Sequence, residues 1–100
     1  RVMGELAVRV GTGNLLPDGV SGPAMMGPVS DFGAGGRVGI GAERGIFGWS
    51  GAAGTVGTVD MRRGIRSSIF VQFMPPTALP LLPEYAKAVR EDLMALAARA

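Results

Sequence analysis

Gly45-Ile46-Phe47-Gly48-Trp49-Ser50-Gly51-Ala52-Ala53-Gly54-Thr55 is the stretch on which the reading of the chain turns. It holds the only tryptophan and four glycines, and two segments rich in β-branched and apolar residues follow it directly. Glycine inside a strand-like run weakens pairing and leaves nothing to pack, so it marks a place where another backbone or a ligand comes close. Two readings follow from composition alone. Either this is a strand whose edge lines a cleft, or it is a glycine-rich bend beneath a stacked indole.

Working outward, Ile46–Gly51 reads as a strand and Thr55–Met61 as the next. Asp60-Met61-Arg62-Arg63-Gly64 then supplies turn chemistry, with Asp at the start and Gly where a positive φ is needed. Arg66–Met74 follows as a further strand, because Ile69, Val71 and Phe73 alternate with Ser68, Phe70 and Gln72 at a period of two. Upstream, Arg37-Val38-Gly39-Ile40-Gly41 reads as the first short strand. The short connections between these runs imply antiparallel neighbours.

Towards the N-terminus, Val2, Met3, Leu6 and Val10 fall at helical spacing, which predicts a helix over Val2–Val10 ending near Gly11 and Gly13. Asn14 to Gly36 reads as loop, with Pro17-Asp18-Gly19 and Ser21-Gly22-Pro23 as turn signals. Met25 and Met26 interrupt its polarity and either pack into the core or line a groove. At the other end, Pro75, Pro76, Pro80 and Pro83 keep the chain extended until a helix begins. Pro83 suits the first helical position and Glu84 the positive end of the dipole. Leu82, Tyr85, Ala86, Val89, Leu93, Leu96 and Ala97 form one apolar stripe, which predicts a closing helix over 83–99 packed across one face of the sheet. The fold expected is therefore α/β of the α+β type, with antiparallel strands near 37–41, 46–51, 55–61 and 66–74. Phe70 and Met74 on the second sheet face imply that something further packs there.

One hundred residues, +2 net charge, 47% hydrophobic residues, 17 glycines and only six aromatics describe one small domain or a piece of one, poor in core-filling side chains. Ordering each residue costs on the order of 1–2 kcal/mol, most for glycine, and a chain this short buries only about two-thirds of its unfolded surface. The expectation is that residues 1–100 are a partial domain, in keeping with a start at Arg1 rather than Met. The basic residues are scattered apart from Arg62, Arg63 and Arg66 at a turn, without an aromatic platform, which speaks against nucleic acid. No apolar run reaches the ~18 residues of a membrane helix. Cysteine and histidine are absent and the carboxylates dispersed, so neither a metal nor a cofactor is expected.

Gly48-Trp49-Ser50-Gly51-Ala52 nearly matches a G-x-S-x-G nucleophile elbow, but its fifth residue is Ala, no histidine is available as base, and a strand rather than a helix follows. Gly11-Thr12-Gly13 and Gly39-Ile40-Gly41 begin dinucleotide-type patterns, yet Leu16 and Arg44 stand where the third glycine belongs. Turns and bends account for both.

The order of parts carries more. A glycine-flanked Trp49-Ser50-Gly51-Ala52 precedes Gly54-Thr55-Val56-Gly57-Thr58-Val59-Asp60, then Ile69-Phe70-Val71-Gln72-Phe73-Met74, a proline-rich link and a last helix. This resembles the C-terminal part of the serine β-lactamase-like family, above all class C β-lactamases and family VIII carboxylesterases. Asn14-Leu15-Leu16-Pro17-Asp18-Gly19 and Phe32-Gly33-Ala34-Gly35-Gly36-Arg37-Val38-Gly39 look like that family's His-Leu-Pro segment and Gly-Phe-Gly-Leu-Gly-Phe strand. The resemblance implies a serine hydrolase whose third motif is Trp49-Ser50-Gly51, mixing the Lys/His-Thr/Ser-Gly of β-lactamases with the Trp-Gly-Gly of esterases.

Carried over by position, the resemblance makes the backbone N–H of Ala52 one oxyanion donor. Such donors are worth ~3–4 kcal/mol because they point at charge that appears only in the transition state. Trp49 becomes a cleft wall and Gly51 a small residue that lets substrate approach. Ser50 either binds a substrate carboxylate or satisfies the strand. An indole where β-lactamases carry a cation implies small ester substrates in preference to β-lactams. Tyr85-Ala86-Lys87 is similar to a Tyr-x-Asn element, but Tyr85 belongs to the apolar stripe of the last helix. No Ser-x-x-Lys is present, so the resemblance places the nucleophile, its lysine and the tyrosine N-terminal to Arg1, in the remainder of the same domain, and implies that this chain alone performs no chemistry. The rival expectation is a non-catalytic relative, or a stand-alone module that takes an extended peptide along the glycine-rich strand edge.

Overall fold

The structure is a computed structural model and describes residues 2–22 and 29–99. Along the chain run α1 (Glu5–Gly11), β1 (Ser30–Phe32), β2 (Arg37–Gly39), β3 (Ile46–Ser50), β4 (Val56–Asp60), β5 (Ile65–Ile69) and α2 (Leu81–Arg99). The strands form one antiparallel five-stranded sheet in the order β1-β2-β3-β4-β5, so the architecture is α+β with two helices. Two compact units make up the chain: Arg1–Trp49 with Gly57–Arg66, and Ser50–Val56 with Ser67–Ala100.

In the first unit, α1 begins three residues later than the apolar spacing implies, after Gly4. Its Glu5 and Arg9 pair at 3.3 Å one turn apart on the exposed surface, an arrangement worth a few tenths of a kcal/mol. The stripe that predicted it does not face inward. Met3, Leu6 and Val10 are all exposed, and Val8 and Gly11 are the half-buried residues of the helix. Thr12 ends it by donating both its N–H and its hydroxyl to the Val8 carbonyl.

The segment expected to be loop from Asn14 to Gly36 contains β1, which pairs with β2 in the register Ser30↔Gly39, Asp31↔Val38 and Phe32↔Arg37. Gly33, at the start of the connection, is where backbone meets backbone: a Cβ there would lie 2.8 Å from the Gly13 carbonyl oxygen and 2.9 Å from that of Gly11. The buried Asp31 carboxylate ties the preceding loop down by accepting from Asn14 Nδ2 at 2.6 Å and from the Gly22 N–H at 2.9 Å. Arg37 bridges Ser30 Oγ (2.6 Å) and the Glu43 carboxylate. Met25 and Met26 lie outside the described residues.

Strand β2 stops at Gly39, two residues short of the expected Gly41, because Gly41 takes φ +57° and opens a 3-10 turn over Gly41–Glu43. Val38 is the buried apolar side chain among the described residues, and Ser30, Asp31 and Asp60 are the buried polar ones. The interior of this unit is thus held by hydrogen-bonded polar groups as much as by hydrocarbon. Asp60 closes β4 and nucleates the next turn, accepting from the N–H groups of Arg62 (3.0 Å) and Arg63 (3.1 Å) and from Arg63 Nη1 (2.6 Å). Gly64, at φ +68°, completes that turn by donating to the Asp60 carbonyl, as the Asp–Gly spacing predicts.

In the second unit, the strand expected over Arg66–Met74 ends at Ile69. Beyond it the alternating residues take up other partners. Val71 packs against Gly54, where a Cβ would sit 2.6 Å from its Cγ2, and the Phe73 N–H donates to the Ala53 carbonyl at 2.9 Å. Helix α2 starts at Leu81, two residues before the expected Pro83. Pro83 therefore occupies the third helical position, where its missing N–H is still harmless because the first four helical amides lack a partner, and Glu84 closes the first turn onto the Pro80 carbonyl. Of the expected stripe, Leu82, Tyr85, Val89 and Leu93 are half-buried, while Ala86, Leu96 and Ala97 are exposed.

Candidate functional site

Trp49 and Ser50 are the last residues of β3, and the Gly51–Thr55 loop follows them. The pairing of β3 with β2 runs through Phe47 and Gly48, opposite Val38 and Arg37. On its other side β3 has β4 as neighbour, and Gly48 is what lets the two backbones approach: a Cβ there would come within 2.2 Å of the Gly57 carbonyl oxygen. The glycine-rich strand is therefore interior to the sheet, and at its C-terminal end Trp49 and Ser50 extend past its β2 pairing.

Trp49 is 54% exposed and is braced on one side by Phe32, ring centroids 5.8 Å apart and planes at 87°, an edge-to-face contact. Such pairs contribute about 0.5–1.5 kcal/mol beyond the area they bury. Sequence reasoning missed Phe32 as the indole's support, since it lay in a segment read as loop. The signal available was an isolated aromatic before a Gly-Ala-Gly-Gly run.

The loop after Ser50 has a definite construction. The Gly51 N–H donates to the Thr55 carbonyl at 2.7 Å and the Gly54 N–H to the Gly51 carbonyl at 3.1 Å. Ala52 and Ala53 are the central residues, neither with positive φ, while Gly54 has φ +85°. With types I′, II and II′ excluded by those φ signs, this is a type I turn followed by a left-handed glycine, the usual three-residue hairpin loop. The sequence Gly-Ala-Ala-Gly-Thr is what such a loop requires, because only glycine takes the left-handed position without strain.

Of the residues singled out from sequence, Gly51 and Ala52 lie in this loop, while Trp49 and Ser50 end the strand before it. Both backbone polar groups of Gly51 are engaged inside the turn, and a Cβ on it would stand 2.4 Å from Thr55 Oγ1, so Gly51 shapes the loop. Ala52 is exposed at the tip, and its N–H donates to no backbone carbonyl among the described residues. Ala53 is held by the bond from Phe73, and Val71 lies over Gly54, so the tip is anchored on its C-terminal side. Thr55 and Phe73 were not anticipated. Ser50 is exposed at the strand end.

The loop offers a hydrogen-bond donor but no acid–base pair. The single lysine, Lys87, lies on an exposed face of α2 and faces Glu91 at 4.0 Å. Among the described residues no three His, Cys, Asp or Glu side chains gather as a metal-binding group, and no helix is long and apolar enough to cross a membrane. The Asp60 carboxyl is perturbed by its surroundings. Burial pushes its pKa up, but hydrogen bonds from the Arg63 side chain and from the Arg63 and Arg62 amides outweigh that and hold it below the ordinary value. No protein-family model, curated protein or solved structure matches the chain.

Proposed function

We propose that this chain forms the C-terminal part of a serine-dependent acyl hydrolase of β-lactamase-like type. In this proposal it contributes one amide of the oxyanion hole, from Ala52, and one wall of the cleft, from Trp49. The observation that carries it is Ala52, exposed at the tip of an anchored turn two residues beyond the end of β3, with an N–H that donates to no backbone carbonyl among the described residues. A donor fixed by backbone geometry needs no reorganisation when negative charge develops on a carbonyl oxygen, which is the property that lowers an acyl-transfer barrier. The nucleophilic serine and its base come from a further segment of the same domain. The exposed Phe70 and Met74 are apolar surfaces that such a segment would cover.

The substrate is a small ester or amide. An indole at position 49 places no cation where an anionic β-lactam would need one, so uncharged acyl esters are favoured. The rival, a module that adds an extended peptide to the glycine-rich strand, fits less well, since β3 has neighbours on both sides in the sheet.

The test is Ala52→Pro in the protein together with whatever precedes Arg1. Proline suits the first central position of a type I turn, so the substitution removes the N–H while keeping the loop. Turnover of an aryl ester should fall by roughly 10²–10³ in kcat, the usual effect of losing one oxyanion donor, with circular dichroism unchanged. A folded Ala52→Pro protein with undiminished kcat, or an intact protein without esterase or β-lactamase turnover, overturns the proposal.

A further inference from the structure

We draw no further inference here: the strongest candidate, the exposed apolar run of Phe70, Phe73, Met74, Leu79 and Leu81 from the end of β5 to the first residue of α2, carries nothing because no feature of the structure shows what covers it.

Discussion

The ring of Phe32 stands edge-on to the indole of Trp49 at a centroid distance of 5.8 Å, joining the first strand of the sheet to the third across the one between them. Because the chain has a single tryptophan, its fluorescence reports this contact without interference. Replacing Phe32 by Ala should shift the emission maximum to longer wavelength and lower stability by about 1 kcal/mol, the size of an aromatic pair. Phe32→Leu should do less of both. Identical spectra for the three proteins would mean that the contact does not form in solution.

Two glycines, three positions apart, should respond in opposite ways to alanine. Gly54 has φ +85° and Val71 pressed against it, so Gly54→Ala should cost more than ~1–2 kcal/mol, the strain of the left-handed region plus the collision. Gly57 lies in β4 with nothing within 4 Å of its would-be Cβ and no positive φ. Gly57→Ala should be neutral or stabilising by ~0.5 kcal/mol, through the unfolded chain. Urea titration of both variants checks the contrast, and equal midpoints would contradict the loop geometry.

Asp60 gives a prediction with a definite sign. Its pKa is lowered on folding, so the native state binds this proton less readily than the unfolded chain does. The contribution is present in full above the unfolded value near 3.8 and is lost as pH falls through the lower folded value. Melting temperatures measured from pH 6 down to pH 2 should drop in the acid range. Asp60→Asn should flatten that drop while lowering stability at pH 6 by about 1.5–3 kcal/mol, the worth of hydrogen bonds to a charged group. A variant with the same acid slope as the parent would remove Asp60 as its source.

Under the proposed hydrolase activity, the intact protein should turn over an uncharged aryl ester with a larger kcat/KM than a cephalosporin. Trp49→Lys should move that ratio toward the cephalosporin by roughly fivefold, the effect of ~1 kcal/mol from a partly exposed charge pair. Steady-state kinetics on both substrates decides it. A cephalosporin preference in the parent would sink the ester assignment.

The parts of the fold legible in the sequence were those fixed by local chemistry. Asp60 to Gly64 announced its turn because both the capping carboxylate and the left-handed glycine are encoded within five residues. The long last helix was legible from the spacing of its apolar residues, whereas the glycine-rich stretch up to Thr55 was left as either a cleft-lining strand or a bend. What escaped depended on distant partners. Ser30–Phe32 is too short to show alternation and becomes a strand through β2 and the Asn14–Asp31 bond. Val71 and Phe73 continue the alternation of Ile69, yet they leave the ladder for Gly54 and Ala53, which no period of two can reveal. Of the four apolar positions read as helical near the N-terminus, Leu6 and Val10 lie in α1 while Val2 and Met3 precede it, since spacing shows which residues can share a helix face and not where the helix begins. At the candidate site, Ala52 and Trp49 were visible as a motif, whereas their supports Thr55, Phe73 and Phe32 became visible only in three dimensions.

The polar character of the buried groups has a thermal consequence. Exposing hydrocarbon on unfolding raises heat capacity and exposing polar surface lowers it. A chain whose buried side chains among the described residues are Val38, Ser30, Asp31 and Asp60 gains little of the first and some of the second. Its free energy of folding should therefore bend only weakly between refrigerator and body warmth, giving a shallow, broad calorimetric profile in place of a sharp peak.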